Sequence, residues 1–391
     1  MKTTLSNQAS SYNEVALNKK KSIDMKNFMM VFALLGIWLI FSLLTSGTFI
    51  TPRNISNLVR QMTFTVILAI GMMNVILLGE IDLSVGSLVG LCGGMFAIMS
   101  TQLNVPLLPA LLLTLLLGFG LGIWNGFWTA YQKVPSFIVT LAGQLIFRGA
   151  LVGLTGGKTI APLDPNLQWL GGEYISNTVG YILGILVIGL LLFLQWSARS
   201  KRAKMQLELK PVRNELIRSI VTVVLIVGFV IMMNAYKGIP RAVYLIALLF
   251  GVFYFMTQKT VFGRRLYAIG GNKPASILAG INVKKNIMMV LGLNGLISSI
   301  AAIFLCARLD SAAVAAGTNG ELDAIASCVI GGASLLGGVG SLPGVVIGAA
   351  VMASIDNGMA LLDTPAFWQT IIKGLVLLLA VWFDMSRKKK N

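Results

Sequence analysis

Histidine is absent from the 391-residue chain, and only 14 residues are acidic. Without imidazole there is no histidine ligand for a metal and no proton relay on a group that titrates near neutrality. Cysteine is almost as scarce. Cys92, Cys306 and Cys328 lie in apolar stretches with no metal-ligand spacing. That excludes a disulfide framework and a zinc site, and the three read as small packing residues. Charge is scarce as well: at 12% the chain carries about half the share of an ordinary soluble domain. Apolar residues take its place, at 56% of the sequence and a mean hydropathy of +0.82. A soluble protein so composed would expose large apolar patches and aggregate. The composition specifies an all-α polytopic membrane protein, since the apolar runs are too long and continuous for a barrel's alternating strands.

A helix needs about 20 mostly apolar residues to cross a bilayer. Windows of that kind fall at 27–45, 61–79, 82–99, 107–130, 136–154, 179–197, 218–236, 240–258, 287–306, 321–338, 342–358 and 367–384. Those at 82–99 and 321–338 are short or broken by glycine, so the expectation is 10–12 transmembrane helices. The run after Lys26 lacks a small-residue cleavage site and should remain as an anchor. Lys and Arg set the orientation. They crowd the tail 1–26 (Lys2, Lys19, Lys20, Lys21, Lys26), the tail 385–391 (Arg387, Lys388, Lys389, Lys390) and the loops 198–217 and 259–286. Lys133 and Arg218 fall on the same side, against only Arg53, Arg60, Lys158, Lys237, Arg241 and Arg308 on the other. Both termini are therefore expected in the cytoplasm. The formal charge of +17 becomes an orientation signal and a face for anionic lipid, with no need for nucleic acid.

Segment 198–217 divides the expected bundles 27–197 and 218–384. A faint echo links them. Glu80-Ile81-Asp82 and Glu321-Leu322-Asp323 each open a glycine-rich span, and Asn125-Gly126 and Asn357-Gly358 follow one span later. Repeated halves are common among transporters. The run Gly331-Gly332-Ala333-Ser334-Leu335-Leu336-Gly337-Gly338 is too rich in glycine for a continuous helix, as expected where backbone lines a cavity.

Charges at membrane depth are costly, so Glu80, Asp82 and Asp356 are pathway candidates. Arg148, well inside a span, is expected to pair with one of these carboxylates as a structural charge. Asn125, Gln144, Asn294, Asn357 and Gln369 add neutral hydrogen-bonding groups suited to a sugar in a wet pore, although buried amides also bond across helices. Gly153 to Thr159 imitates a phosphate-binding loop but has the wrong spacing and follows a membrane span. No nucleophile–base pair or nucleotide site is visible, so the chain is expected to be no enzyme and to hold no cofactor or metal of its own.

The loop 259–286 carries more information. Gly270-Gly271-Asn272 is a turn with Asn272 placed to cap the next segment, and Pro274 sits near a first helical position. Pro274 to Ala279 reads as a short helix stopped by Gly280, with one apolar pair, Ile277-Leu278, that suits docking on a soluble protein.

FGRRLYAIGGNKPASILAGI, at 262–281, resembles the coupling segment in permease subunits of ribose/xylose-type sugar ATP-binding cassette importers. ILLGEIDLSVGSLVGL, KVPSFIVTLAGQLIFRGALVGLTGG, ELDAIASCVIGGASLLGGVGS and DNGMALLDTPAFWQTIIKGLVLLLAVWFD are similar to further segments of that family and extend the likeness over nearly the whole chain. The K-V-P-S-F-I-V-T-L-A-G wording and the insert around 198–240 lean to the xylose branch over the shorter ribose branch. The resemblance implies a permease fold with glycine-broken helices and a homodimer with the pathway near its interface. It also implies a cytoplasmic ATPase that uses ATP and magnesium, and an extracytoplasmic sugar-binding protein. Coupling then falls on Arg264, Arg265, Gly270, Gly271, Asn272, Ala275, Ala279 and Gly280. The alternatives are a branched-chain amino-acid permease of the same superfamily and an ion-coupled secondary transporter.

Overall fold

The computed structural model describes residues 30–388 other than Glu208 and Lys210. The tail lysines at 2, 19, 20, 21, 26, 389 and 390, with Lys210, lie outside the described residues. The described chain is helical: α1 (Met30–Leu44), α2 (Pro52–Leu77), α3 (Val85–Ala97), α4 (Leu107–Ala130), α5 (Ser136–Thr155), the single turn α6 (Gln168–Gly171), α7 (Asn177–Lys204), α8 (Val212–Asn234) and α9 (Ala242–Lys259). Then come α10 (Val261–Gly271), α11 (Lys273–Leu278), α12 (Val283–Leu309), α13 (Gly320–Ile330), α14 (Leu342–Leu361) and α15 (Ala366–Lys388). Among the described residues ten helices are long and apolar enough to cross a membrane, α3 counting with the π turn Ile98–Gln102 that extends it.

Local chemistry sets the helix starts. Thr51 accepts a hydrogen bond from the Asn54 amide ahead of α2, whose first residue is Pro52. Ser341 does the same for Gly344 ahead of α14, with Pro343 in its first turn. These caps satisfy orphan amides that hydrocarbon could not. The cap at Thr51 moves the second expected span nine residues earlier, to Pro52.

Two spans are broken. Residues 80–84 are non-helical, and their amides climb α5: Ile81 N–H bonds Ser136 Oγ at 3.2 Å and Leu83 N–H bonds Thr140 Oγ1 at 3.0 Å, one turn further on. Borrowed hydroxyls thus let non-helical backbone run at depth. The expected span 321–338 is a helix only to Ile330, because Gly332, Gly337 and Gly338 adopt positive φ of 84°, 89° and 72°. The glycine run leaves the helix, as its composition implied.

The expected division at 198–217 differs from what is found. α7 continues to Lys204 and α8 begins at Val212, so most of the basic segment is helix end. The halves also interleave. α4 lies along α12, α14 lies along α2, and α2 and α12 pack on each other. Meanwhile α3 packs on α4 and α5, as α13 does on α14 and α15. The two quartets α2–α5 and α12–α15 therefore make reciprocal contacts, which gives the echo in the sequence a structural counterpart.

Candidate functional site: where two broken helices meet

α3 leads away from the end of the bundle that holds α10 and α11, and α13 leads toward it. Their N-termini meet. A Cβ added at Gly86 would strike the Glu321 carboxylate and the Gly317 carbonyl, so only glycine lets the two starts approach this closely. The depth follows from Asn294, the twelfth residue of the 27-residue α12, which bonds into the junction about 16 Å from that helix's start.

Asp82 is the centre of one half. It is 2% exposed and accepts from Ser84 N–H at 2.9 Å, Ser84 Oγ at 2.6 Å and Asn294 Nδ2 at 2.8 Å. Asn125 Nδ2 donates to Ser84 Oγ at 3.0 Å and closes the network. Three of the expected pathway residues, Asp82, Asn125 and Asn294, are thus brought together, with Ser84 as the hinge among them. The carboxylate is held by neutral donors, the arrangement that makes burial of such a group tolerable.

Glu321, 5% exposed, is the centre of the other half, and Gln144 Nε2 donates to its Oε1 at 3.1 Å. Arg148 stands one turn beyond Gln144 on α5. Its expected carboxylate partner among Glu80, Asp82 and Asp356 is not found. Its guanidinium donates instead to the carbonyls of Val314 and Ala316 and to Thr318 Oγ1. The reason is the second break: the turns between α12 and α13 leave carbonyls without helical partners, and a five-donor fork satisfies them.

The remaining candidates lie elsewhere. Glu80 stands at the α10/α11 end, where its Oε1 meets Lys273 Nζ at 3.2 Å. Asp356 belongs to an ionic triad, since Lys373 Nζ lies 2.9 Å from Asp356 Oδ2 and 3.0 Å from Asp323 Oδ2. Asn357 Oδ1 accepts from Asn54 Nδ2 at 2.7 Å and its Nδ2 donates to Gln61 Oε1 at 3.2 Å, tying α14 to α2 near the opposite end. Gln369 bonds the Thr364 carbonyl at 2.8 Å and serves the start of its own helix. Glu321, Asp323, Lys373 and Ser84 had no assigned role in the sequence. The Glu321-Leu322-Asp323 echo was the available signal, and Lys373 was visible as a cation inside a span. Among the described residues no group of three acidic or cysteine ligands is arranged to hold a metal.

At the α10/α11 end, Thr260 caps α10 and Asn272 Oδ1 accepts from Ala275 N–H at 2.9 Å to cap α11. Gly280, at φ +77°, ends the short helix. This geometry leaves Ile277 59% and Leu278 90% exposed. Arg264 and Arg265 are exposed on α10, and Tyr267 beside them donates to the Gly340 carbonyl at 2.9 Å, burial pushing its phenol above its ordinary range. Gly270 is the pivot. A Cβ there would overlap the Leu77 carbonyl and the Gly338 amide. α10 therefore touches both the entrance to the broken segment before α3 and the glycine loop after α13.

Residues 54–381 match the family described as branched-chain amino acid transport system / permease component. The chain belongs to this permease family. The permease is 50% identical over 373 residues to the Haemophilus influenzae xylose transport system permease protein XylH, covering 95% of this chain and 99% of that one. It is 47% identical to XylH of Escherichia coli K12 over the same length, 94% of that protein. The Bacillus subtilis ribose import permease protein RbsC is 35% identical over 357 residues, 91% of the permease and 92% of RbsC. No solved structure matches it.

Proposed function

We propose that the permease is the membrane subunit of a xylose importer driven by partner ATPase subunits and fed by an extracytoplasmic sugar-binding protein. The identity of 47–50% to XylH proteins over nearly the full length of both chains carries this reading. The branched-chain description applies at family level only, and the 35% identity to RbsC makes ribose the more distant sugar. In this reading the α10/α11 end is cytoplasmic, both termini lie on that side of the inner membrane, and two permeases pair. Each ATPase seats the exposed Ile277-Leu278 pair of α11, and ATP with magnesium belongs to that partner.

The mechanism rests on three contacts. Motion of α11 reaches Glu80 through Lys273, and motion of α10 reaches Leu77 and Gly338 through Gly270. Both broken segments are thereby pulled from one side, and their N-termini share the Asp82–Glu321 junction. Neutral amides and hydroxyls of Asn125, Asn294, Gln144 and Ser84 suit an uncharged sugar once motion of the broken segments releases them from Asp82 and Glu321. The energy for reorientation comes from different ATPase contacts in the two states, since a bound partner shifts an equilibrium only by its differential affinity. The test is uptake of labelled sugars into cells lacking their own xylose permease, supplied with this permease, its ATPase and its binding protein. ATP-dependent accumulation of xylose is expected. Accumulation of leucine without xylose overturns the sugar reading.

A further inference from the structure

The hairpin of α7 and α8 stands apart from the junction. It is pinned where Ile175 N–H bonds the Ile239 carbonyl at 2.8 Å and Val230 and Met233 pack with Ile55 and Leu58. From there an apolar groove runs between the two helices. Its first stretch is lined by Ile188, Ile226 and Val230. Gly184, whose added Cβ would come within 3.0 Å of Val230, lets the helices close beneath it. A second stretch shares Ile188 and Ile226 and ends at Gln195, Ser219 and Thr222. The groove thus turns from hydrocarbon to hydroxyl and amide as it nears the α7–α8 turn. From Tyr181 to Gln195 it is about 21 Å long by helical rise, enough for an acyl chain that fills one leaflet of about 15 Å.

Beyond the polar end the exposed charges among the described residues are cationic. Arg202 lies two turns past Gln195 on α7, and Arg218 lies one turn before Thr222 on α8; both are exposed. Glu215, in the first turn of α8, is engaged by Arg199. Tail-sized apolar groove, polar rim and free-standing arginines form the sequence of a phospholipid read from tail to headgroup. We propose that the groove between α7 and α8 is a binding site for an anionic glycerophospholipid, with one acyl chain along Ile188 and Ile226 and its phosphate held by Arg202 and Arg218. This assignment does not depend on the transported solute.

Full-length permease in nanodiscs of mixed phosphatidylglycerol and phosphatidylcholine, released and weighed by native mass spectrometry, tests the proposal. Wild type is expected to retain phosphatidylglycerol in preference to phosphatidylcholine. The double variant Arg202→Gln/Arg218→Gln, which alters exposed side chains only, should lose that preference by about thirtyfold, two surface cations' worth. Ile226→Trp, which fills the groove, should lower retention of both lipids. Equal retention of the two lipids by wild type, or an unchanged preference in the arginine variant, overturns the headgroup site. Undiminished retention in correctly folded Ile226→Trp overturns the groove.

Discussion

Lys373 shows most plainly what a single side chain does in this molecule. It joins Asp323 of α13 and Asp356 of α14 to α15, a helix whose apolar span is otherwise unburied in the single chain. Removing one partner of a buried ionic group costs up to about 3–5 kcal/mol because the others stay charged and unpaired, and the partial exposure of Lys373 and Asp356 puts this triad below that ceiling. Lys373→Met should accordingly lower the unfolding midpoint in detergent, whereas Lys373→Met combined with Asp323→Asn and Asp356→Asn should recover most of the loss. A triple variant as unstable as the single one would show that the ion pairs themselves, and not the stranded carboxylates, set the stability. Gly270 acts by what it lacks. Gly270→Ala must push the Leu77 carbonyl aside, a strain of about 1–3 kcal/mol. Sugar uptake is expected to fall at least about tenfold with the permease still present in the membrane, as quantified by immunoblot beside transport. Neither effect is visible in a one-dimensional sequence: Lys373 meets carboxylates 17 and 50 positions away, and Gly270 is constrained by a carbonyl of another helix.

At the scale of elements, α11 is where the sequence was easiest to read. Asn272, Pro274 and Gly280 are local signals for start and stop, and the helix lies between them as their chemistry requires. The long apolar spans were legible for the same reason, since a bilayer imposes length and hydropathy on each one independently. Broken elements were harder. Glycine at 331–338 announced the second break, but nothing local announced that residues 80–84 leave the helix, because the Ile81 and Leu83 amides are satisfied by Ser136 and Thr140 on another helix. The carboxylate pairing expected of Arg148 failed for a related reason: two of its partners are the Val314 and Ala316 carbonyls, which carry no signature in residue type. The exposed apolar pair of α11 supports a direct prediction. Leu278→Glu changes a side chain that contacts little within the chain, so membrane level and thermal stability should stay within about 0.5 kcal/mol of wild type. Uptake, and stimulation of the ATPase by the sugar-loaded binding protein, should both be lost. Retained uptake would move the coupling contact away from α11.

The whole molecule is asymmetric in charge, and that asymmetry can be measured directly. Exposed cations of α7, α8, α10, α11 and the first turn of α12 gather at one end, while Lys158 and Lys237 mark the other. Cations are retained on the cytoplasmic side during insertion, so the α10/α11 end should face the cytoplasm. The cysteines provide the means of testing this. Cys92, Cys306 and Cys328 are all buried, and a buried structural thiol is inert, so a membrane-impermeant maleimide should leave the native chain unlabelled. Lys158→Cys should then label on intact cells, and Lys285→Cys only after permeabilisation. The opposite pattern would invert the permease, put α11 beyond the reach of any cytoplasmic ATPase, and remove the basis for ATP-driven import through the Gly270 and Lys273 contacts.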